Sequence, residues 1–335
     1  MELMTTLAPD PGRSAFMYWL DRNASVASIA LFFVACATVF SFSSATFHQT
    51  GNLLNIARQC SPLLVVATAM TLVVTTGGID LSVGSTLALA GALCAVTLQA
   101  GVPDMLVIGG GIALGCAIGL LNGYFVAYAG MPPFIVTLGT LSVVRGAALA
   151  MTRGYSLPIE HAPLFTGLGR KWLLGIPFPA MIAVAVVLAG WATLRYTRFG
   201  RYVTGLGCNE ESVRRAGIDV RRIKLRVYVL SGMAAALAGM IIAARLGSGS
   251  ANQGVGFELD VITAVVLGGT SLFGGVGTVV GTVLGALTIA VLNNGLILLH
   301  VSPFYTQIIQ GAIMLLAVWL NTRIFMPQRR RRDVA

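Results

Sequence analysis

Residues 261–322 read VITAVVLGGTSLFGGVGTVVGTVLGALTIAVLNNGLILLHVSPFYTQIIQGAIMLLAVWLNT, and these 62 residues contain no Asp, Glu, Lys or Arg. A bilayer core about 30 Å thick is crossed by roughly 20 helical residues, so the stretch is long enough for about three crossings. Its apolar runs are unbroken, whereas the strands of a membrane barrel alternate between apolar and polar residues. The stretch therefore predicts a helical membrane protein that crosses the bilayer several times.

The rest of the chain has the same character. Of 335 residues, 22 are Lys or Arg and 12 are Asp or Glu, so 10% are charged, and 56% are hydrophobic. Soluble domains carry about 25% charged residues, and disordered chains are poor in apolar ones. The composition therefore excludes a soluble globular protein and a disordered one.

Uncharged gaps and Gly or Pro breaks divide the chain into about ten transmembrane helices of an all-α polytopic membrane protein. A short amphipathic piece at 52–59 is expected before the second helix. The ten helices are predicted at 24–43, 61–77, 82–100, 105–128, 133–152, 176–195, 226–246, 259–273, 277–299 and 305–322.

Basic residues predict the orientation, because Lys and Arg collect in cytoplasmic loops. Nine of the 22 basic residues lie in 195–226 and five more in 323–332, so both segments should be cytoplasmic. An even number of spans then places the N-terminus on the same side. The loop 153–172 falls outside although it contains Arg153, Arg170 and Lys171, which departs from the rule.

The net charge of +10 is explained by this topological signal, and we expect no nucleic acid partner. The run Arg329 to Arg332 closely follows a span and should meet anionic lipid headgroups. Five cysteines without a Cys-x-x-Cys pair indicate packing residues, and three distant histidines indicate no metal site.

Asp80 stands where one helix should break on Gly77-Gly78 and another should begin near Ser82. Its carboxylate could stabilise the start of the second helix. It could also contact a transported solute, since broken helices form polar sites at membrane depth. The sequence leaves both interpretations open. A similar Gly-rich pattern at 268–275 predicts a second break, and Gly-x-x-x-Gly repeats at 111–123 and 277–285 predict tight helix packing.

Residues 209–217 predict one short helix in the basic loop. Asn209 is a good N-cap, Glu210 and Glu211 suit the first turn, and Gly217 suits the stop. Such a short helix needs a docking surface. The surface could be the protein's own membrane domain or a cytoplasmic partner, and residue patterns alone do not choose.

Uncharged polar residues inside the spans could bind a neutral polyhydroxyl solute or join helices to one another. They are Asn122, Thr137, Ser142, Thr263, Asn293, Asn294, Gln307 and Gln310. Arg145 is expected near the outer interface or paired, because an isolated charge inside the bilayer is unfavourable. No phosphate-binding Gly-x-x-x-x-Gly-Lys-[Ser/Thr] motif and no intramembrane chain of acids occurs. Any energy for transport must therefore come from elsewhere, or transport is not coupled to an energy source.

With these motifs in view, the chain resembles the bacterial ABC-importer permeases of the ribose, xylose and arabinose class along nearly its whole length. The resemblance is carried by five stretches: Gly77 to Ser85, Asn122-Gly123, Pro133 to Thr140, Arg214 to Gly232, and Val266 to Gly275.

The resemblance implies a type II ABC-importer-like bundle with broken helices in the bacterial inner membrane. A second permease chain would complete the pore, a periplasmic binding protein would deliver a monosaccharide, and two cytoplasmic ATPase subunits would bind ATP and Mg²⁺. This chain would hold no cofactor and catalyse no reaction. Its parts would be a cytoplasmic segment 1–23, a transmembrane domain 24–325 with a coupling loop 196–225, and a basic tail 326–335.

The resemblance also suggests residues for two roles. Contact with the ATPase would fall on the coupling helix 209–216 and its turn, through Glu210, Glu211, Arg214, Arg215 and Gly217. The translocation pathway and its broken helices would include Gly77, Gly78, Asp80, Ser82, Asn122, Phe134, Thr137, Asn293, Asn294 and Gln307.

Other functions fit the composition as well. A branched-chain amino-acid permease is the alternative within ABC transport. An ATP-independent carrier or channel, or a membrane scaffold, belongs to a different class. The well-capped helix in a basic loop favours the importer, because a channel does not require it.

Overall fold

A computed structural model describes residues 24–302, 304–305, 308–309, 311–312 and 315. The predicted segment 1–23, most of the predicted helix 305–322 and the tail 326–335 lie outside the described residues. The described helices are α1 (Ala24–Ser43), α2 (Thr50–Thr75), α3 (Val83–Gln99), α4 (Asp104–Ala127), α5 (Pro133–Thr152), α6 (Pro163–Arg170), α7 (Phe178–Tyr196), α8 (Arg198–Cys208), α9 (Glu210–Arg215), α10 (Val220–Leu246), α11 (Phe257–Leu267) and α12 (Val279–Leu298).

Within the described residues, seven helices are long and apolar enough to cross a membrane, namely α1, α2, α4, α5, α7, α10 and α12. Two further apolar helices are shorter, with 17 residues in α3 and 11 in α11. The helical, polytopic architecture is thus confirmed, whereas the predicted count of about ten spans is not.

Several predicted boundaries are wrong for identifiable reasons. The amphipathic piece at 52–59 is not separate but forms the start of α2, which begins at Thr50. Helix α10 begins at Val220, before the predicted 226, because Asp219 Oδ1 accepts a hydrogen bond from the Arg222 amide at 3.2 Å. Helix α11 ends at Leu267, before the predicted 273, because the chain turns at Gly269 with a φ of 89°.

The long loop between α5 and α7 has secondary structure of its own. It contains helix α6 and three short strands, β1 (Ser156–Pro158), β2 (Trp172–Leu173) and β3 (Ile176–Pro177). Strands β2 and β3 form an antiparallel hairpin, with Trp172 opposite Pro177. Strand β1 pairs antiparallel with β4 (Ser248–Ser250), which follows α10. The loop is thereby attached to the end of α10.

Glycine packing holds the centre of the bundle together. Helix α10 lies against α2, α3 and α4. A Cβ atom on Gly115 would collide with the carbonyl of Gly232, and one on Gly119 would collide with the carbonyl of Tyr228. The predicted tight packing of the Gly-x-x-x-Gly repeat in α4 is confirmed, because the absent side chains let two backbones touch.

Candidate functional site

The helix break after α2 is built from two glycines with different tasks. Gly77 adopts a φ of +78°, a left-handed conformation that favours glycine. Gly78 lies against the hydroxyl of Tyr228, which would be 2.7 Å from a Cβ at that position. The same hydroxyl donates to the carbonyl of Ile79 at 3.4 Å. The predicted break is therefore real, and Tyr228 of α10 holds it in place.

Asp80 is buried, with 1% of its surface exposed, and both carboxylate oxygens accept hydrogen bonds. Ser82 donates to Oδ1 from its amide at 3.0 Å and from its hydroxyl at 2.6 Å, and Ser231 donates to Oδ2 at 2.7 Å. Ser82 is the N-cap residue of α3. These contacts match the interpretation of Asp80 as a stabiliser of the helix start, and they also connect the break to α10.

The hydrogen-bond network continues from Ser82 into two neighbouring helices. The side-chain amide of Asn122 in α4 connects two neighbours. Its Nδ2 donates to the Ser82 hydroxyl at 2.9 Å, and its Oδ1 accepts from the Thr140 hydroxyl of α5 at 2.7 Å. Thr137 donates to the carbonyls of Ile79 at 3.3 Å and Pro133 at 2.9 Å. Asn122 and Thr137 are completely buried, so their polar groups join helices in this structure.

The remaining predicted pathway residues lie away from this network. Phe134 is 54% exposed on the surface of α5. Asn294 of α12 and Asn52 of α2 exchange two amide hydrogen bonds of 2.9 and 3.0 Å. Asn293 and Asn294 line a cavity of about 140 Å³, together with Gln59 and Asp260. Gln307 and Gln310 lie outside the described residues.

The second predicted break, between α11 and α12, touches the first one. The amide of Gly275 donates to the carbonyl of Thr75, the last residue of α2, at 2.9 Å. A Cβ on Gly274 would lie 2.9 Å from the amide nitrogen of Gly77. The two glycine-rich breaks are thus one continuous joint.

Helix α8, which was not predicted, presses against this joint. A Cβ on Gly207 would collide with the carbonyl of Thr75 and the amide of Gly275. The helix begins at a cap in which the Thr197 hydroxyl accepts from the amide of Gly200 at 3.0 Å. Thr197 before Arg198 was the sequence signal that could have revealed α8.

The predicted short helix is confirmed as α9. Asn209 Oδ1 accepts from the Ser212 amide at 2.9 Å, and Gly217 has a φ of +78°. Glu210 forms a salt bridge of 2.7 Å with Lys224 of α10, and Glu211 forms one of 3.0 Å with Arg215.

Arg214 lies within 3.4 Å of Glu211 and 3.8 Å of Glu210. No residue of α9 is buried, so the polar surface of the helix is open to contact.

Arg145 in α5 forms its hydrogen bonds with backbone carbonyl groups. Its guanidinium donates to the carbonyls of Ala251, Gln253 and Gly254 at 2.5–3.2 Å. These carbonyls belong to the segment between β4 and α11, and Gly254 packs against Gly84 at the start of α3. Arg145 therefore fixes the segment that leads into the short helix α11.

Comparison with known proteins gives consistent results. The family described as "Branched-chain amino acid transport system / permease component" matches residues 52–318. The ribose import permease protein of Escherichia coli (strain K12) is 42% identical over 323 residues, 96% of this chain and 99% of that protein.

The Bacillus subtilis (strain 168) ribose import permease is 43% identical over 288 residues, 85% of this chain and 89% of that protein. The D-allose transport system permease protein of E. coli (strain K12) is 36% identical over 300 residues, 88% and 91% of the two chains. No solved structure matches the chain.

Proposed function

The chain belongs to the family of permease components of branched-chain amino-acid transport systems, and from this premise we propose that it carries a monosaccharide. It is the membrane-spanning subunit of an ABC importer in the inner membrane, a transport component and not an enzyme. The observation that carries the proposal is the 42% identity to a ribose import permease over 96% of the chain. The relatives named above are two ribose import permeases and one D-allose transport system permease.

The orientation follows from the basic residues. The segment 195–226 contains α8 and α9 and faces the cytoplasm, as do residues 1–23 and the tail 326–335. The opposite end, which carries α6 and the strands β1 to β4, faces the periplasm. Ten spans result when α3, the short α11 and a last helix within 305–322 are included. The membrane domain then covers 24–325, in a type II ABC-importer-like arrangement.

ATP-driven movement enters through α9. Glu210, Glu211, Arg214 and Arg215 give the cytoplasmic ATPase a polar contact surface, and Gly217 provides the turn that follows. Helix α8 lies directly before α9 and touches the joint between the two helix breaks. A displacement of α9 is therefore transmitted to Thr75 and Gly275 through α8 alone. ATP and Mg²⁺ are bound by the partner.

The solute passes between two permease chains that open alternately to the two sides. The exposed face of α5 lies along this pathway, with Phe134 at 54% and Leu138 at 44% exposure. The residues of the first helix break and its hydrogen-bond network do not line the pathway but hold the break in place next to α5. They are Gly77, Gly78, Asp80, Ser82, Asn122 and Thr137. Asn293, Asn294 and Gln307 offer neutral polar groups suited to hydroxyls of a sugar.

Reconstitution tests the function. The permease, its ATPase and its binding protein are placed in proteoliposomes, and uptake of labelled ribose, allose and leucine is measured with and without ATP. ATP-dependent uptake of one sugar supports the proposal. ATP-dependent uptake of leucine would instead support the branched-chain amino-acid function that the family description names, and uptake without ATP would support a carrier or channel.

A further inference from the structure

Three arginines lie near the periplasmic end of α10, and the proposed transport function gives them no role. Arg58 belongs to α2, Arg170 ends α6, and Arg245 lies in the last turn of α10. Arg170 Nε donates to the carbonyl of Arg245 at 3.1 Å. A Cβ on Gly169 would collide with the backbone nitrogen of Arg245, so α6 packs tightly on this helix end.

Two of these guanidinium groups lack a counter-charge. Arg58 Nε and Arg245 Nη1 are buried without a hydrogen-bond partner, although Arg58 Nη2 donates to Asn55 at 3.0 Å. Their helices, α2 and α10, pack against each other, so both positive charges lie in the same part of the bundle. In the described part of the chain, every salt bridge lies within 210–224, so none involves these arginines.

An anion beside these two arginines would neutralise their charge. Burying part of an unpaired charge is unfavourable, and a like charge beside it adds to the penalty. A guanidinium group presents several N–H donors in one plane, which suits the oxygens of a phosphate. The positive pair also lies on the side of the membrane where basic residues are normally scarce.

The neighbouring hairpin β2–β3 indicates that the anion comes from a lipid headgroup. Its apolar side chains project outward, with Leu174 at 92%, Trp172 at 46% and Ile176 at 45% exposure. Strand β3 contacts α2, and Arg170 and Lys171 precede the hairpin directly. An exposed Trp among apolar residues, next to basic ones, is typical of the layer of lipid headgroups.

The hairpin continues without interruption into α7, one of the least buried helices of the described bundle. Only 11% of the α7 span is buried, which leaves most of its surface free to face acyl chains in the membrane. The hairpin stands at the periplasmic end of that surface. A lipid that covers α7 therefore brings its headgroup to the hairpin and the arginines.

We propose that Arg58 and Arg245 bind the phosphate of an anionic phospholipid of the periplasmic leaflet. Arg170 and Lys171 add positive charge beside it, and the tip of the β2–β3 hairpin enters the headgroup layer. The bound lipid fixes α2, α6 and α10 relative to one another. It also accounts for Arg170 and Lys171, two of the basic residues that depart from the usual charge distribution.

Native mass spectrometry of the assembled importer tests the site. Phosphatidylglycerol and phosphatidylcholine are titrated separately, and we expect at least tenfold stronger retention of phosphatidylglycerol. The double variant Arg58→Gln/Arg245→Gln should reduce this preference at least fivefold. Arg153→Gln removes an exposed positive charge at the same end of the bundle and serves as the control. Equal retention of both lipids, or an unchanged preference in the double variant, would overturn the proposal.

Two further variants separate binding from folding. Arg58→Lys/Arg245→Lys keeps both charges and should keep most of the preference for phosphatidylglycerol, whereas a structural role of the guanidinium groups predicts the same loss as with glutamine. Leu174→Asp changes only an exposed tip. It should reduce quenching of Trp172 fluorescence by brominated phospholipid, measured with the other three tryptophans replaced, and unchanged quenching would contradict hairpin insertion.

The remaining arms distinguish other occupants. Excess inorganic phosphate should not displace the lipid, because the acyl chains also contribute to binding; complete displacement would indicate a site for free anions. If the glutamine double variant retains phosphatidylglycerol but loses stimulation by the binding protein, the arginines contact a protein and the proposal fails.

Discussion

Gly275 donates its amide to the carbonyl of Thr75 at 2.9 Å, and this bond joins the ends of two helix-breaking segments that are far apart in sequence. Each segment interrupts a bundle of membrane helices with irregular backbone. Such backbone is tolerated at membrane depth when its polar groups find partners in the protein. The two breaks satisfy this requirement by pairing with each other, next to the helix that leads to α9.

Gly207→Ala should weaken this joint. The new methyl group would collide with the carbonyl of Thr75 and the amide of Gly275, and overpacking of this kind costs about 1–3 kcal/mol. We expect a lower midpoint of thermal unfolding in detergent and reduced uptake. Gly109→Ala is the control, because nothing lies within 4 Å of a Cβ there. Equal behaviour of the two variants would show that the contact at Gly207 is unimportant.

Asp80→Ala should reduce the yield of folded protein strongly, because Ser82 and Ser231 would lose their acceptors inside the bundle. A buried polar group without a partner costs about 1–3 kcal/mol. Ser231→Ala removes one of the three hydrogen bonds to Asp80 and should have a smaller effect. Fluorescence-detected size-exclusion chromatography after heating measures the fraction of each variant that stays folded, and we expect this fraction to be lower for Asp80→Ala than for Ser231→Ala. Normal expression with full uptake for Asp80→Ala would remove Asp80 from the functional residues.

Replacing Glu210 and Glu211 together by Lys should prevent ATPase docking while the permease stays folded. Glu211 is exposed and Glu210 is half-buried beside Lys224; the exposed Glu211 pair contributes about 0–1 kcal/mol to stability. We expect loss of co-purification with the ATPase and a thermal midpoint close to that of the unmodified chain. Glu160→Lys reverses an exposed charge on the opposite side and should retain the ATPase. Unchanged co-purification of the double variant would argue against the coupling role.

Arg145→Lys should impair uptake although it preserves the charge. A guanidinium group reaches the carbonyls of Ala251, Gln253 and Gly254 together, while a lysine ammonium group is a single point donor. Looser attachment of the segment before α11 should reduce uptake about tenfold, which corresponds to roughly 1.4 kcal/mol. Binding-protein-stimulated ATPase activity, measured in parallel, should persist. If both activities fall together, Arg145 contributes to overall folding.

The sequence predicted those elements whose ends carry strong local signals. Helix α5 has the predicted bounds 133–152, because it begins at a proline and ends before Arg153, which has a φ of 51°. Helix α9 was found through Asn209 and Gly217. The start of α2 and the strand pairing of β1 with β4 were missed, because long-range packing decides them and short strands leave little periodic pattern.

The candidate site was predicted in part. Asp80 and its glycines mark the break, but Ser231 donates from 151 positions away, and no local pattern indicates that partner. Asn122 and Thr137 were found as polar residues in spans that could bind a solute or join helices, and the fold shows that they join helices. Asn293 and Asn294 line a separate cavity. This was not predicted, because the sequence alone does not show which side of α12 faces which neighbour.

The glycine contacts between α4 and α10 limit how the subunit can move. Where Gly115 and Gly119 lie against Gly232 and Tyr228, backbone touches backbone, and no flexible side chains remain to absorb displacement. Helices α4 and α10 must therefore move together as one rigid body. Bending is then restricted to the segments with irregular backbone, so the rigid contact between α4 and α10 determines where the hinges lie.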